Sequence, residues 1–416
     1  MSALEARVHR GSHEVGGNCV ELRYDNQTIL LDVGTPLNNE PVELPSAIGM
    51  GEAGPLPLAA VITHGYQDHW GLVPRLPVGI PVWIGQSAAD ILRAAEFWGP
   101  GVDLHEKGHL RHREPFEVGP FTITPYLADH SAYDAYSLLV EAGGRRLFYT
   151  GDFRGHGRKY RSFDRLVESP PTDVHTLLME GTSLRADDAG EQVSESSLED
   201  AMVDTLRSTH GPVVVLGSGQ NIDRVVTTYR AALRSQRELA IDLYTADVLG
   251  ASGRETIPRL GDGWPHVHAY LPMHQRVKVK ESGQFSRTTE VAGRRVYEES
   301  IAAAPDCWIL YGAYQRQIPR MLRDGILAGG AVVWSMWEGY LAEPSGQRLQ
   351  TLLADSDVPL VHHHVSGHAS VTHLKRLCDA LAPAWVVPIH TESPNLYSST
   401  FGRPVRTEGD GEWWTV

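Results

Sequence analysis

Histidine and aspartate side chains cluster at the end of one apolar segment of the sequence. The segment LAAVIT is followed by His64-Gly65-Tyr66-Gln67-Asp68-His69, which places His64, Asp68 and His69 within six residues. Imidazole nitrogens and carboxylate oxygens are the ligands that borderline divalent metals prefer. Because a loop that follows a strand can direct several side chains toward one point, this segment predicts a metal-binding loop.

Further histidines and aspartates follow later apolar segments. His130 comes after FTITPYLAD, Asp152 comes after RRLFYTG, and His390 lies in PIHTE near the C-terminus. A single histidine or aspartate at a strand end is more often an ordinary structural residue. Loops at one end of a sheet sandwich can nevertheless bring residues together that are far apart in the sequence. The set as a whole therefore predicts one metal centre.

Two kinds of secondary-structure pattern must position these residues. The first 180 residues consist of short apolar segments joined by turns, such as the Gly143-Gly144 pair between YSLLVEA and RRLFYTGD, and they predict strands and hairpins. After Glu180, helical segments alternate with apolar strands such as PVVVLGS and CWILYGA, which predicts a mostly parallel sheet covered by helices.

The alternation of patterns also predicts the domain organisation. Strand, helix and strand patterns return near the C-terminus in PLVHHHVS, SVTHLKRLCDALA and AWVVPIHT. We expect a first domain formed by residues 1–184 and 346–416, interrupted by an inserted α/β domain at residues 185–345.

The composition is that of an ordinary folded protein. Hydrophobic residues make up 42% of the 416 residues and charged residues 21%, and no apolar run reaches the ~18 residues that span a bilayer. The N-terminal segment lacks the apolar stretch of a secretory signal, and the three cysteines have no metal-binding spacing. We expect a cytoplasmic protein. The net charge of −14 argues against a protein that coats nucleic acid but allows a nuclease that binds a few nucleotides.

The order of these motifs resembles that of the metallo-β-lactamase superfamily. The resemblance rests on His64, Tyr66, Asp68, His69, His130, Asp152 and His390, taken in that order. Asp32 in ILLDVG matches the family's first motif, an aspartate that supports the metal loop without being a principal ligand. The resemblance implies an α/β fold, the αββα metallo-β-lactamase sandwich.

The later motifs are similar to those of the β-CASP group within this superfamily. Glu180 in LMEGTS, His368 in HVSGHAS and His390 in PIHTE match its motifs, and HVSGHAS is close to the form found in ribonuclease J-like members. The resemblance covers nearly the whole chain. It implies that the inserted domain is a β-CASP α/β domain and that the chain is a metal-dependent nuclease.

The resemblance also implies a ligand set for two metal ions, Zn²⁺ or Mn²⁺. One ion would bind His64, residue 66 and His130, the other would bind Asp68, His69 and His390, and Asp152 would bridge them. The family has histidine at the position of Tyr66, and a neutral phenol is a poor metal ligand. Three interpretations stay open: a weakened two-metal site, a one-metal enzyme, or an inactive form, natural or engineered.

The implied reaction is hydrolysis of a phosphodiester by a metal-bridged hydroxide. Asp68 and Asp152 would act as ligands and proton acceptors, and His368 would protonate the leaving oxygen while Glu180 orients it. We expect Ser366, His368 and Ser370 to contact substrate phosphate, although capping of the following helix by Ser370 explains that residue nearly as well.

The predicted substrate is single-stranded RNA, because the inserted domain should leave only a slot at the metal face. A DNA nuclease of the same fold is the nearest alternative, since the chemistry is the same. A second alternative is a weakened or inactive β-CASP partner protein, because Tyr66 replaces a ligand histidine. Hydrolysis of a small substrate such as a lactam or thioester is less favoured, since that lineage lacks the large insertion. No membrane association is expected.

Overall fold

A computed structural model describes residues 3–37, 42–45, 48, 55–185 and 193–416 of the chain. The chain divides into two compact units, one formed by Met1–Gln192 with Gly367–Val416 and the other by Val193–Ser366. Among the helices in the described part of the chain, none has both the length and the apolar character needed to cross a membrane.

The first sheet of the first unit combines antiparallel and parallel strands. Its strands are β1 (Glu5–Arg10), β2 (Cys19–Tyr24), β3 (Gln27–Val33), β4 (Ala60–Val61), β5 (Val82–Gly85), β6 (Gly108–Leu110) and β20 (Trp413–Thr415). They lie in the order β20-β1-β2-β3-β4-β5-β6, and pairing is parallel from β3 to β6. Asp25 and Asn26 connect β2 and β3 with φ angles of 50° and 58°, which are typical of a tight hairpin turn.

Four strands of the second sheet of this unit end at or just before predicted site residues, namely His130, Asp152, Glu180 and His390. Its strands are β7 (Phe116–Val118), β8 (Phe121–Leu127), β9 (Tyr136–Ala142), β10 (Arg145–Tyr149), β11 (Thr176–Glu180) and β19 (Trp385–Ile389), in the order β19-β11-β10-β9-β8-β7. The predicted hairpin at Gly143-Gly144 joins β9 and β10. Because β11 and β19 are parallel with Glu180 opposite Ile389, the ends of both strands lie at the same edge.

Helices cover the outer faces of these two sheets. They are α1 (Gln67–Trp70), α2 (Gln86–Glu96), α3 (Tyr160–Glu168), α12 (Val371–Leu381) and α13 (Tyr397–Phe401), with 3₁₀ turns at Val73–Arg75 and Pro394–Leu396. Along β3, Ile29 and Leu31 pack into the core between the sheets, whereas Leu30 packs with Leu92 of α2. Leu139 of β9 packs with Leu374 of α12 on the other outer face. The predicted αββα sandwich is confirmed.

The second unit is built around a parallel sheet. Its strands are β12 (Val213–Leu216), β13 (Glu238–Ile241), β14 (Val267–Tyr270), β15 (Arg295–Val296), β16 (Trp308–Gly312), β17 (Ala331–Trp334) and β18 (Leu360–His362). The order is β15-β14-β13-β16-β12-β17-β18, and every pair of neighbours is parallel. This is the α/β pattern that the sequence predicted for the insertion.

Helices connect the strands of this parallel sheet. They are α4 (Glu195–Ser208), α5 (Ile222–Arg234), α6 (Leu243–Ala251), α7 (Met273–Ser282), α8 (Ser286–Thr289), α9 (Glu298–Ala303), α10 (Ile318–Arg323) and α11 (Pro344–Asp355), with 3₁₀ turns at Ala292–Arg294, Pro305–Cys307 and Glu338–Ala342. The unit extends beyond residue 345, the boundary predicted from the sequence, because β18 pairs with β17 in the register Val332–Leu360. A short strand pattern does not reveal which sheet the strand joins.

Candidate metal centre

The ligand loop predicted at residues 64–69 follows β4 and enters the short helix α1. The backbone carbonyl of Asp68 accepts a hydrogen bond from the Asn18 amide at 3.0 Å, which ties this helix to the loop before β2. A Cβ atom at residue 34 would lie 1.6 Å from the Asp68 carbonyl oxygen, so only glycine permits this approach. The strand ends thus fix where Asp68 and His69 lie.

Backbone and side-chain contacts also join the loops that carry His130 and Asp152. The Arg154 amide donates to the Asp129 carbonyl at 2.6 Å, and the Asp129 carboxylate accepts from the Gly157 amide at 2.7 Å. Asp129 and Arg154 are both fully buried. Asp129 directly precedes His130, and Arg154 lies two residues after Asp152. The hydrogen bonds between these two loops therefore hold the ends of β8 and β10 together.

Two groups of ligand atoms result from this arrangement. Asp68, His69, Asp152 and His390 form a four-residue group, while His64, His130 and Asp152 form a three-residue group. Within each group the ligand atoms all lie within 4.8 Å of one another, and all of these residues are buried. The structure therefore brings together all six residues that the resemblance assigned as ligands, and Asp152 is common to both groups.

Each of the four histidines uses its Nδ1 atom to bind a neighbouring oxygen. The pairs are His64 with Thr63 Oγ1 at 3.1 Å, His69 with Asp32 Oδ2 at 2.7 Å, His130 with the Gly367 carbonyl at 2.6 Å, and His390 with Asn18 Oδ1 at 3.0 Å. The Gly367 carbonyl can only accept, and the Thr63 hydroxyl already donates to Asp32. Nδ1 therefore carries a proton in each ring, which leaves Nε2 as the atom through which the ring can bind a metal.

The Nε2 atoms of these histidines are buried and have no hydrogen bond to any other described residue. The same holds for Oδ1 of Asp152. An unsatisfied buried polar atom costs about 1–3 kcal/mol, and five of them at one point would be an unusually large penalty in a folded core. A divalent cation accepts lone pairs from imidazole and carboxylate alike. The chemistry of the donor set fits such a cation.

The electrostatics of the centre agree with this fit for three of its four histidines. Burial lowers the pKa of His64 and His130 well below the usual value and lowers the pKa of His390 to about 3, so these imidazoles are neutral at physiological pH. Burial raises the pKa of Asp152, but the adjacent imidazoles of His390 and His69 outweigh it and hold the pKa well below the usual range. His69 differs from these three histidines: burial lowers its pKa, but the carboxylates of Asp152, Asp32 and Asp68 outweigh burial and raise the pKa well above the usual value, so a metal ion would have to displace a proton from this ring.

Asp32 supports the four-residue group through His69. Its carboxylate also accepts hydrogen bonds from the Thr63 amide at 2.7 Å and from the Tyr149 hydroxyl at 2.8 Å. Asp32 and His390 both have positive φ angles, 55° and 51°, a strained conformation for residues other than glycine. Such strain is typical of functional sites, and the contacts of Asp32 are those expected of a supporting aspartate.

Tyr66 directs its hydroxyl toward a serine. The phenol donates a hydrogen bond to Ser131 Oγ at 3.0 Å. Its ring packs edge-on against the rings of His64 and His130, with centroid distances of 5.5 and 5.3 Å. Tyr66, which stands where the metallo-β-lactamase superfamily has a histidine, thus packs against two members of the three-residue group and hydrogen-bonds to Ser131.

Glu180 and His368 lie next to the ligand groups. Glu180 accepts from the amides of Ala369 and Thr182, both at 3.0 Å, and so holds the turn that carries His368. His368 Nδ1 lies 3.6 Å from both Glu180 Oε2 and Asp152 Oδ2, and its side chain is 22% exposed. Burial would lower the pKa of His368, but the carboxylates of Asp152 and Glu180 outweigh it and raise the pKa to about 9.

The two serines predicted to contact phosphate have different surroundings. Ser370 caps α12 by accepting from the His373 amide at 3.3 Å, and its hydroxyl also pairs with His373 Nδ1 at 2.8 Å. The capping explanation therefore accounts for its contacts. Ser366 is the last residue of the second unit, whereas His368 belongs to the first. A phosphate role for these serines stays a prediction.

Sequence reasoning missed a hydrogen-bonded chain that connects two of the ligands. Asn18 accepts from His390 and donates through Nδ2 to the Tyr149 hydroxyl at 3.1 Å, and Tyr149 donates to Asp32, which binds His69. The available signals were weak: Asn18 follows two glycines, and Tyr149 lies three residues before Asp152. Neither residue type indicates metal binding by itself.

The chain is similar in sequence to several ribonucleases J. No family model matches the chain. Ribonuclease J from Mycoplasma genitalium is 26% identical over 242 residues, which cover 56% of this chain and 42% of that protein. Ribonuclease J 1 from Streptococcus pyogenes serotype M3 is 21% identical over 412 residues, which cover 92% of this chain and 67% of that protein. The chain thus spans less than half of the length of the Mycoplasma relative.

A solved structure shows the same fold over the full length. A protein of unknown function from Enterococcus faecalis V583 superposes with a TM-score of 0.77 at 20% identity, and the match covers 100% of both chains. At this identity the likeness concerns the fold alone. The class is the metallo-β-lactamase fold with an inserted α/β unit. Within it, the sequence relatives confirm the resemblance to the ribonuclease J-like β-CASP group.

Proposed function

We propose that this chain is a metal-dependent phosphodiesterase, a ribonuclease that acts on single-stranded RNA in the cytoplasm. The observation that carries the proposal is the convergence of four buried imidazole Nε2 atoms, which have no hydrogen bond to any other described residue, with Asp68 and Asp152 in two overlapping groups. The sequence relatives named ribonuclease J support RNA as the substrate.

The proposed cofactor is Zn²⁺, with Mn²⁺ as the other candidate, since His and Asp ligands suit both. The four-residue and three-residue groups would hold it. When bound, such a cation lowers the pKa of a water molecule toward about 7 and stabilises negative charge on the phosphate. Asp68 and Asp152 would orient this water and accept its proton.

We infer that the two groups differ in strength. The four-residue group has two histidines and two carboxylates, whereas the three-residue group shares Asp152 and has Tyr66 where the family has an imidazole. The Tyr66 hydroxyl is engaged with Ser131, and a phenol must lose its proton to bind a metal well. We propose that the chain binds one ion tightly and a second ion weakly.

His368 is proposed as the proton donor to the leaving oxygen. It is the partly exposed member of the cluster, within 3.6 Å of both Asp152 and Glu180, so its ring can reach a substrate in front of the ligands. Glu180 is proposed as a positioning residue, because its two oxygens accept hydrogen bonds from the Ala369 and Thr182 amides and so hold the turn that carries His368. Ser366 and Ser370 would contact the phosphate beside His368.

Single-stranded RNA is favoured because the ligands are deeply buried. Asp68 is 7% exposed, and His64, His69, His130 and His390 are fully buried. A scissile phosphate must approach a centre of this depth, which a flexible single strand does more easily than a rigid duplex.

The test compares labelled single-stranded RNA, duplex RNA and single-stranded DNA of one sequence, with the full chain loaded with Zn²⁺ or Mn²⁺. We expect hydrolysis of single-stranded RNA, loss of hydrolysis in Asp152→Asn, and normal hydrolysis in His362→Ala, a matched control at an exposed histidine of the second unit. If single-stranded DNA were hydrolysed faster than single-stranded RNA, the proposed function would change from ribonuclease to deoxyribonuclease. An inert, metal-loaded chain would indicate a non-catalytic partner protein.

A further inference from the structure

A cavity in the second unit is lined by three arginines that come from different elements. Arg276 lies on α7, Arg295 begins β15 and Arg320 lies on α10. Tyr297 and Glu298 also line the cavity. The cavity has a volume of about 150 Å³, which is below the roughly 300–1,000 Å³ usual for sites that enclose a whole small molecule and leaves room for one small polar group.

One of the three arginines already pairs with carboxylates of the protein. Arg320 pairs with Glu298 at 2.9 Å and with Asp324 at 3.2 Å. Glu298 also accepts hydrogen bonds from the Tyr270 hydroxyl at 2.9 Å and from Gln317 at 3.3 Å. Glu298 is therefore engaged by Arg320, Tyr270 and Gln317 and pairs with neither Arg276 nor Arg295.

Arg276 and Arg295 have no carboxylate partner among the residues that the structure describes. The Nε atom of each is buried and has no hydrogen-bond partner within the same part of the chain. The Arg295 guanidinium lies 4.5 Å from the centre of the Tyr297 ring, and Tyr297 is itself 51% exposed. Stacking on an aromatic ring limits the orientations of Arg295 and keeps its remaining donors available.

We propose that this cavity binds a phosphate group through Arg276 and Arg295. A guanidinium presents parallel N–H donors that match two phosphate oxygens, and two such groups in one cavity supply both the charge and the geometry. The phosphate belongs either to the backbone of an RNA strand or to a free nucleotide. The exposed carboxylate of Glu299 at the same cavity opposes an anion, so its removal strengthens binding.

The experiment measures binding without turnover, so that it does not depend on the proposed nuclease activity. The full chain with Asp152→Asn is titrated with adenosine 5′-monophosphate and, separately, with a single-stranded RNA decamer. We expect Arg276→Ala/Arg295→Ala to weaken binding at least about tenfold, since two charge-assisted contacts are lost. Arg348→Ala, which removes an exposed arginine from α11, should leave binding unchanged, and Glu299→Gln should tighten it.

The two ligands distinguish the two sources of phosphate. Loss of nucleotide binding in the double alanine variant identifies a free-nucleotide site, and loss of RNA binding alone identifies a backbone contact. If the double alanine variant unfolds at a lower temperature than the parent chain, Arg276→Lys/Arg295→Lys is tested instead. This variant keeps both positive charges but loses the paired N–H donors, so it should still weaken binding. The proposal would be overturned if each ligand bound to the double variants as tightly as it binds to the parent chain and to Arg348→Ala.

Discussion

The phenolic hydroxyl of Tyr66 lies 3.0 Å from Ser131 Oγ and donates a hydrogen bond to it. Ser131 follows the ligand His130 directly in the sequence. The residue that departs from the family pattern is therefore held beside the three-residue group by a neighbour of one of its ligands. A substitution at Tyr66 should therefore affect the three-residue group and leave the four-residue group unchanged.

Replacement of Tyr66 by histidine should raise the number of tightly bound ions from one toward two. The new imidazole would add a ligand to His64, His130 and Asp152 without changing the four-residue group. The measurement is elemental analysis after dialysis against a weak chelator. Tyr66→Phe is the matched control: it removes the hydroxyl and should leave the metal content unchanged. Two tightly bound ions in the parent chain, or a loss of metal in Tyr66→Phe, would contradict the proposal that the three-residue group binds its ion weakly because Tyr66 is not a ligand.

The hydrogen-bonded chain through Asn18 and Tyr149 should tune the affinity for metal. In Tyr149→Phe and Asn18→Ala we expect the affinity for Zn²⁺ to fall by about 10–100-fold, the range usual for supporting residues of metal-binding histidines. The affinity is measured by competition with a chromophoric chelator. Tyr314→Phe removes another buried phenol, one that bonds a backbone carbonyl in the second unit, and should leave the affinity unaltered. An equal effect in all three variants would indicate general destabilisation.

Removal of the His368 side chain should separate catalysis from metal binding. We expect His368→Ala to lower kcat by roughly 10²–10⁴-fold, the usual contribution of a general acid, while the metal content stays the same. His362→Ala serves as the control, since His362 is an exposed histidine of the second unit that belongs to neither ligand group. An unchanged kcat in His368→Ala would exclude the proton-donor role, and a loss of metal would make His368 a ligand.

His364 should make the second unit less stable in acid. Burial, followed by the charge of Arg224, lowers the pKa of His364 to about 3. The unfolded chain therefore takes up a proton near the ordinary pKa of about 6.5, whereas the folded chain does not, and stability falls as the pH decreases from there toward 3. The slope for one group is at most about 1.4 kcal/mol per pH unit.

Urea unfolding at pH 7 and pH 5 measures this effect. His364→Gln should narrow the difference in unfolding free energy between the two pH values. His362→Gln, which changes an exposed histidine two residues away, should leave the difference as it is. An equal narrowing in both variants would show that burial of His364 is not the cause.

The ligand groups illustrate what a sequence can reveal about a site. His64, Asp68 and His69 are close in sequence and follow a strand, so their cooperation was predictable from local structure alone. The convergence of His130, Asp152 and His390 on the same point required the order of the strands, which came from the resemblance. The sandwich that arranges these strands is confirmed.

Other features could not be predicted because they depend on packing between distant segments. The sequence showed that Tyr66 is a poor ligand, but the direction of its hydroxyl depends on Ser131 in another loop. Asn18 and Tyr149 meet only because β2 and β10 lie in facing sheets of one sandwich. The end of the inserted unit depends on which sheet β18 joins, and its three-residue length carries no such information.

Asp152 is the single residue common to both ligand groups, so the two proposed metal positions would be thermodynamically linked. A first ion bound there would reduce the negative charge of the Asp152 carboxylate and so would change the affinity for a second ion. By reciprocity the second ion alters the first by the same factor. The number of ions carried at a given metal concentration is therefore a property of the pair, and a titration curve for this chain should not be the sum of two independent isotherms.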